Sequence, residues 1–149
     1  MISTNPGEDI KPLSLVASGG ELSRIMLGIK SVLCDNDSIY TLVFDEIDAG
    51  ISGRTAQKVS EKLARIAANH QVICITHLAQ IAAMADRHFV IEKNVSGNRT
   101  HTEIRRLSDE ETTGELARIL GGTEITESVL NNANEMKELA KSWKSECIQ

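Results

Sequence analysis

A chain of 149 residues, 41% hydrophobic and 25% charged, has the length and composition of one globular domain and buries a two-layer core without disulfide or metal staples. A formal net charge of −5 argues against a broad nucleic-acid-binding face, which needs clustered Lys and Arg, while leaving room for local DNA contact, and no apolar run approaches the ~20 residues of a membrane span. The cysteines, three in number and far apart at Cys34, Cys74 and Cys147, argue against a disulfide framework and suit a reducing cytoplasm, with Cys34 and Cys74 read as small buried hydrophobes.

Residues 1–17 read as loop, with a turn at Asn5-Pro6-Gly7 and a breaker at Pro12; they lack a signal-peptide core and look like the start of a segment cut from a longer protein. Ser18-Gly19-Gly20-Glu21 is a capping box, and Leu22, Ile25, Met26, Ile29 and Leu33 follow at helical spacing, so a helix is expected to about Cys34, stopped by Asp35-Asn36-Asp37. Tyr40 to Phe44 is a continuous apolar run, the pattern of a strand buried on both faces, and it ends abruptly in Asp45-Glu46. Ser52 is placed to cap a helix over about Arg54–Asn69, with Val59, Leu63 and Ile66 on one face. Val72–Ile75 reads as a second buried strand ending in Thr76-His77, followed by a helix over about Leu78–Ala85.

Phe89–Ile91 is a further strand, Asn94–Asn98 a turn, and Arg99–Leu107 alternates like a hairpin partner. A second capping box, Ser108 with Glu111, opens a helix closed by Gly121-Gly122. The last helix is expected over about Glu124–Trp143, with Ile125, Val129, Met136, Leu139, Ala140 and Trp143 as its apolar stripe. The order predicts an α/β fold, a mainly parallel sheet flanked by helices with a C-terminal helical segment, in a single domain over 1–149. Ligands of such sheets lie at the carboxyl ends of strands, where Asp45, Glu46 and His77 fall.

Two carboxylates directly after a buried strand divide their work: one is suited to Mg²⁺, the other to an attacking water. Strand alternation points the two side chains to opposite faces. The alternative is a pair of solvated loop acids. The glycine-rich opening at Ser18–Gly20 offers free backbone N–H groups and a positive dipole end to an anion, or is a plain cap after a flexible turn. His77 is a candidate phosphate or water contact, or a satisfied strand-end histidine; His70, His88 and His101 show no metal-ligand spacing.

Together and in this order the segments resemble the ABC-type ATPases: Ser18-Gly19-Gly20-Glu21 the signature motif, Leu42–Glu46 the Walker B strand, Asp48-Ala49-Gly50-Ile51 the D-loop, and Ile75-Thr76-His77 the switch-histidine strand. The stretches VASGGELSRIMLGIKSVL, TLVFDEIDAGISGRTA and ICITHLAQIAAMADRHFVIEK are similar to the C-terminal part of the RecN family, bacterial SMC-like proteins of DNA double-strand-break repair and recombination. The resemblance implies a P-loop NTPase-like head lobe using ATP and Mg²⁺. In it Asp45 supports the metal through water, Glu46 is the general base, and His77 contacts the γ-phosphate. Ser18, Gly19, Gly20 and Glu21 would serve the ATP of an opposing head, with Asp48 near the same dimer seam. The implied partners are an N-terminal Walker A lobe, a second head in an ATP-bridged homodimer, and DNA through the full-length protein, in a nucleoid-associated, cytoplasmic setting without membrane.

The sequence departs from a complete head in one respect: it holds no G-x-x-x-x-G-K-[ST] loop, and the nearest look-alike, Gly28-Ile29-Lys30-Ser31, lies inside a predicted helix. The isolated chain is therefore expected to lack ATPase activity. Two alternatives stand beside this reading: a transporter nucleotide-binding lobe, whose signature more often carries Gln where this chain has Glu21, and a non-catalytic dimerisation or docking module.

Overall fold

A computed structural model describes residues 3, 7, 9–10, 12, 18–33, 38–96 and 99–148. It comprises two compact units, Met1–Thr76 and His77–Gln149. The expectations for most of residues 1–17, for Cys34 and for the stop at Asp35–Asp37 lie outside the described residues.

The first unit contains α1 (Gly19–Leu33), β1 (Thr41–Phe44), α2 (Gly53–Ala67) and β2 (Gln71–Cys74). β1 and β2 pair in parallel, from Thr41 opposite Gln71 to Phe44 opposite Cys74, and α2 makes the crossover that parallel strands require. The helical spacing of Val59, Leu63 and Ile66 does bury one face of α2, joined by Ala56 and by Ser60, whose hydroxyl donates to the Gln57 carbonyl. Ser52 holds the N-cap position of α2 but makes no side-chain capping bond, unlike the expectation from its residue type.

Two other expectations change. β1 is buried on one face only: Leu42 and Phe44 point inward, while Val43 is 64% exposed and Ile73 of β2 is 47% exposed. The apolar run fits burial on both faces, but the described residues cover just one. On α1 the deeply buried positions are Gly20 and Leu27, whereas Leu22, Met26, Ile29 and Leu33 are all more than 40% exposed. The helix turns its less apolar edge to the unit's core and leaves most of its predicted stripe uncovered.

The second unit contains α3 (Ala79–Ala82), β3 (Phe89–Ser96), β4 (Arg99–Arg106), α4 (Asp109–Gly121) and α5 (Glu127–Cys147). β3 and β4 form an antiparallel hairpin from Phe89 opposite Arg106 to Ser96 opposite Arg99, so ladder bonds carry β3 into the segment expected as turn. α3 is shorter than predicted, with single turns continuing to Ala85. α4 begins on the expected capping box: the Glu111 amide donates to Ser108 Oγ (3.2 Å) and the Ser108 amide to Glu111 Oε2 (2.8 Å). Gly122 ends it with φ of 67°, a left-handed value that favours glycine.

α5 starts later than predicted because Thr126, not an earlier residue, accepts the Val129 amide as N-cap, and it runs on to Cys147. Its packed stripe is Val129, Ala133, Met136, Ala140 and Trp143; Ile125 and Leu139 face outward. Lys137 ties α5 to α4 by donating to the Asp109 carbonyl (2.8 Å) and to Thr113 Oγ1 (3.1 Å).

His88 precedes β3 and is held below its ordinary value of 6.5, first by burial and then by the Lys137 and Lys144 ammonium groups. The unfolded chain therefore takes up this proton before the folded one does. Stability is full above pH 6.5 and declines as pH falls through that value. Thermal melts between pH 7 and 5 should show the decline, and His88→Gln should flatten it. The Glu111 carboxyl, lowered by the Ser108 amide and by Arg105, acts in a separate window below 4.5, so the two effects are distinguishable.

Candidate functional site

The chain leaves β1 at Phe44 and turns at once. Asp45 and Glu46 are exposed, while the next two residues, Ile47 and Asp48, are almost fully buried. The turn is closed by the Ala49 amide on the Glu46 carbonyl (3.0 Å) and the Ile51 amide on the Asp48 carbonyl (3.3 Å). Glu46 has φ of 55°, a left-handed conformation that disfavours a side-chain-bearing residue by roughly 1–3 kcal/mol. Its amide donates to Asp45 Oδ1 (2.9 Å). Since both carboxylates lie beyond the strand, strand alternation does not set their directions; the turn does.

Against this turn stands the start of α1. The Glu21 amide donates to Ser18 Oγ (3.4 Å), and Glu21 Oε2 accepts from the Ser18 amide (2.8 Å) and hydroxyl (3.0 Å). Those bonds from Ser18 lower the Glu21 pKa, so Glu21 is an ionised cap. Of the two glycines between them, Gly20 is a steric necessity, because a Cβ there meets backbone, whereas one on Gly19 meets only the movable end of the Glu46 side chain. A Cβ on Gly20 would come within 2.7 Å of the Glu46 carbonyl oxygen and 2.8 Å of Ala49 Cβ; one on Gly19 would come within 2.6 Å of Glu46 Oε2. The fold thus brings Ser18, Gly19, Gly20 and Glu21 alongside Glu46 within one unit.

Asp48 is 3% exposed and accepts a 2.6 Å hydrogen bond from Thr76 Oγ1, which joins the turn to the segment after β2. Its carboxylate is buried within the first unit. Cys74 sits half-buried nearby; burial, then the charges of Asp48 and Asp45, push its thiol up to about 12, so it stays protonated and unreactive. Removing the hydroxyl by Thr76→Val should destabilise the fold by about 1–3 kcal/mol, because a buried carboxylate loses a donor. Urea unfolding checks this. His77 is exposed and opens the second unit.

For a divalent cation, Asp45 offers an exposed hard oxygen donor, the class that suits Mg²⁺. No group of three His, Cys, Asp or Glu side chains gathers among the described residues. A Mg²⁺ ion would thus draw most of its ligands from phosphate and water, as it does in nucleotide sites.

Three residues at this site were not singled out by the sequence. Ser23 Oγ donates to the Asp45 carbonyl (2.8 Å), and Arg24 Nη1 donates to the Ile47 (3.1 Å) and Ala49 (2.8 Å) carbonyls. Thr76 is the third. A signal existed for the first two: Gly20, Ser23, Arg24 and Leu27 recur at i, i+3, i+4 and i+7, one helix face.

No protein-family model matches the chain. Among curated proteins it is 50% identical over 143 residues to the DNA repair protein RecN of Halalkalibacterium halodurans, covering 96% of this chain and 25% of that protein. RecN of Bacillus subtilis is 46% identical over 145 residues, 97% of this chain and 25% of the relative. RecN of Deinococcus radiodurans is 50% identical over 135 residues, 90% and 23%. The chain spans about a quarter of the length of the curated relatives it matches. Among solved structures, a chain from work on the ATP-driven dimerization and DNA-stimulated activation of SMC ATPases superposes with a TM-score of 0.51 at 20% identity, over 76% of this chain and 68% of the other. The likeness to RecN expected from the motifs is thereby shown across nearly the whole chain, and the mixed α/β fold is like that of the SMC ATPase chain.

Proposed function

We propose that this chain is the C-terminal lobe of the ATP-hydrolysing head of a RecN-like DNA repair and recombination protein, both compact units forming part of that lobe. The complete head converts ATP and water to ADP and phosphate. The observation that carries the reading is the packing of the glycine-rich start of α1 directly on the Asp45-Glu46 turn at the exit of a parallel strand.

In this reading Asp45 holds Mg²⁺ through its water shell and Glu46 takes the proton of the attacking water. His77 contacts the γ-phosphate. Ser18, Gly19 and Gly20 offer the positive end of α1 to the ATP of a second head, with Glu21 keeping that end capped. Asp48 acts from inside, holding the turn that lines the dimer seam. The cis nucleotide must be held by another lobe, because the sequence lacks a phosphate loop with its lysine. The exposed apolar residues of α1 and the sheet, Leu22, Met26, Ile29, Val43 and Ile73, support such a partner. DNA engagement belongs to the full-length protein, in the bacterial cytoplasm; among the described residues no helix is long and apolar enough to cross a membrane.

The test is reconstitution. This chain alone should not hydrolyse ATP. Mixed with a separately expressed segment bearing the Walker A loop, it should give Mg²⁺-dependent turnover. Association of the two without turnover would favour the second reading, a docking module, for which the uncovered apolar stripe of α1 speaks.

A further inference from the structure

α1 does more than open with two glycines. One turn further along the same face it carries Ser23 and Arg24, and both reach the backbone of the turn that bears Glu46 and Asp48. Arg24 Nη1 donates to two carbonyls of that turn, Ile47 (3.1 Å) and Ala49 (2.8 Å), while Ser23 holds the Asp45 carbonyl (2.8 Å). The guanidinium is half-buried, which strengthens charge-assisted bonds to carbonyl oxygens. The turn needs such a clamp. Glu46 sits at a φ of 55°, a conformation its own residue type disfavours, and it persists only where neighbours over-determine it.

We propose that Arg24 is a positioning residue, which pins the turn after β1 to α1 so that the Glu46 carboxylate and the glycine step of α1 keep one geometry. The inference rests on the functional reading above for its consequence in turnover, but its structural content stands apart from that reading. Arg24 touches no reacting group; it acts through the backbone on either side of Asp48. A single guanidinium bridging two carbonyls also makes the turn and the helix one mechanical element, so a displacement of α1 moves Glu46 with it.

Two measurements test this. The first is hydrogen exchange on the 149-residue chain as it stands. Arg24→Ala should raise exchange at the Ala49 and Ile51 amides, which close the turn, by about tenfold or more. The amides of α2 and β2 should keep their wild-type rates. Arg24→Lys, with the charge retained and a shorter reach, should raise the same two amides by a smaller factor. Unchanged rates in the turn, or a rise spread evenly over the unit, would overturn the proposal. Should Arg24→Ala not fold, Arg24→Lys decides by the same criteria.

The second measurement is turnover in the reconstituted head. Arg24→Ala should lower kcat by about tenfold with KM unchanged, and Arg24→Lys should recover part of it. An unchanged kcat, or a loss seen in KM alone, overturns the role. If the wild-type pair shows no turnover, it is the functional reading that fails, and the exchange result still decides the placement of Arg24.

Discussion

Glu46→Gln should abolish ATP turnover by the head assembled from this chain and a Walker A-bearing segment, lowering kcat by about 10²–10⁴-fold. The substitution removes a proton acceptor and little else. Gln keeps the length of the side chain, and the backbone bonds that hold position 46, its amide on Asp45 Oδ1 and its carbonyl under the Ala49 amide, are unaffected. Nucleotide binding should therefore persist. Equilibrium binding of a fluorescent ATP analogue, measured beside phosphate release, separates the two. Turnover within a few-fold of wild type would remove Glu46 from the chemistry and leave it as an exposed loop acid.

The second large effect is expected at Gly20, and it reverses sign within one helix. Glycine to alanine in a helix interior normally gains roughly 1 kcal/mol. At Gly28 a new Cβ meets nothing within 4 Å, so Gly28→Ala should be stabilising by up to about that amount. At Gly20 the new Cβ would lie 2.7 Å from the Glu46 carbonyl and 2.8 Å from Ala49 Cβ, neither of which is the end of a flexible side chain. The turn has to move, and overpacking of this kind destabilises by about 1–3 kcal/mol, more than the propensity gain. Gly20→Ala should lower the urea midpoint and also turnover, since it displaces the Glu46 backbone. Equal midpoints for Gly20→Ala and Gly28→Ala would show that α1 does not press on the turn as described.

Much of this was legible from residues alone because the signals are local. Both capping boxes rest on side chains three residues apart, and both are present. The helical spacing of Val59, Leu63 and Ile66 marks the face that α2 buries. The two apolar runs pair in parallel, as their continuity suggested. The start of α5 is less legible: Ile125 fits the helix's apolar spacing but lies before it, because Thr126 is the N-cap.

What residues alone did not reveal depends on distance through space. Whether Val43 and Ile73 are covered depends on what else packs there, and nothing in a five-residue pattern records that. The same holds for α1, whose apolar stripe is conspicuous in sequence yet stays largely uncovered. The motifs suggested that Glu46 and the signature glycines serve different nucleotides; only the fold reveals that Gly19 and Gly20 press on Glu46 itself. Ser23 and Arg24 are ordinary helix residues until the Asp45–Ala49 turn is brought against them.

The sequence by itself determined the helices and strands, the carboxylate pair at a strand exit and the family likeness, because caps, periodicity and motif order act over a few residues. The tertiary structure alone decided the left-handed Glu46, the inward turn of Asp48 and the two carbonyls held by Arg24. These arise where segments more than twenty residues apart meet, and there close packing and the pairing of every buried polar group, not local propensity, select the conformation.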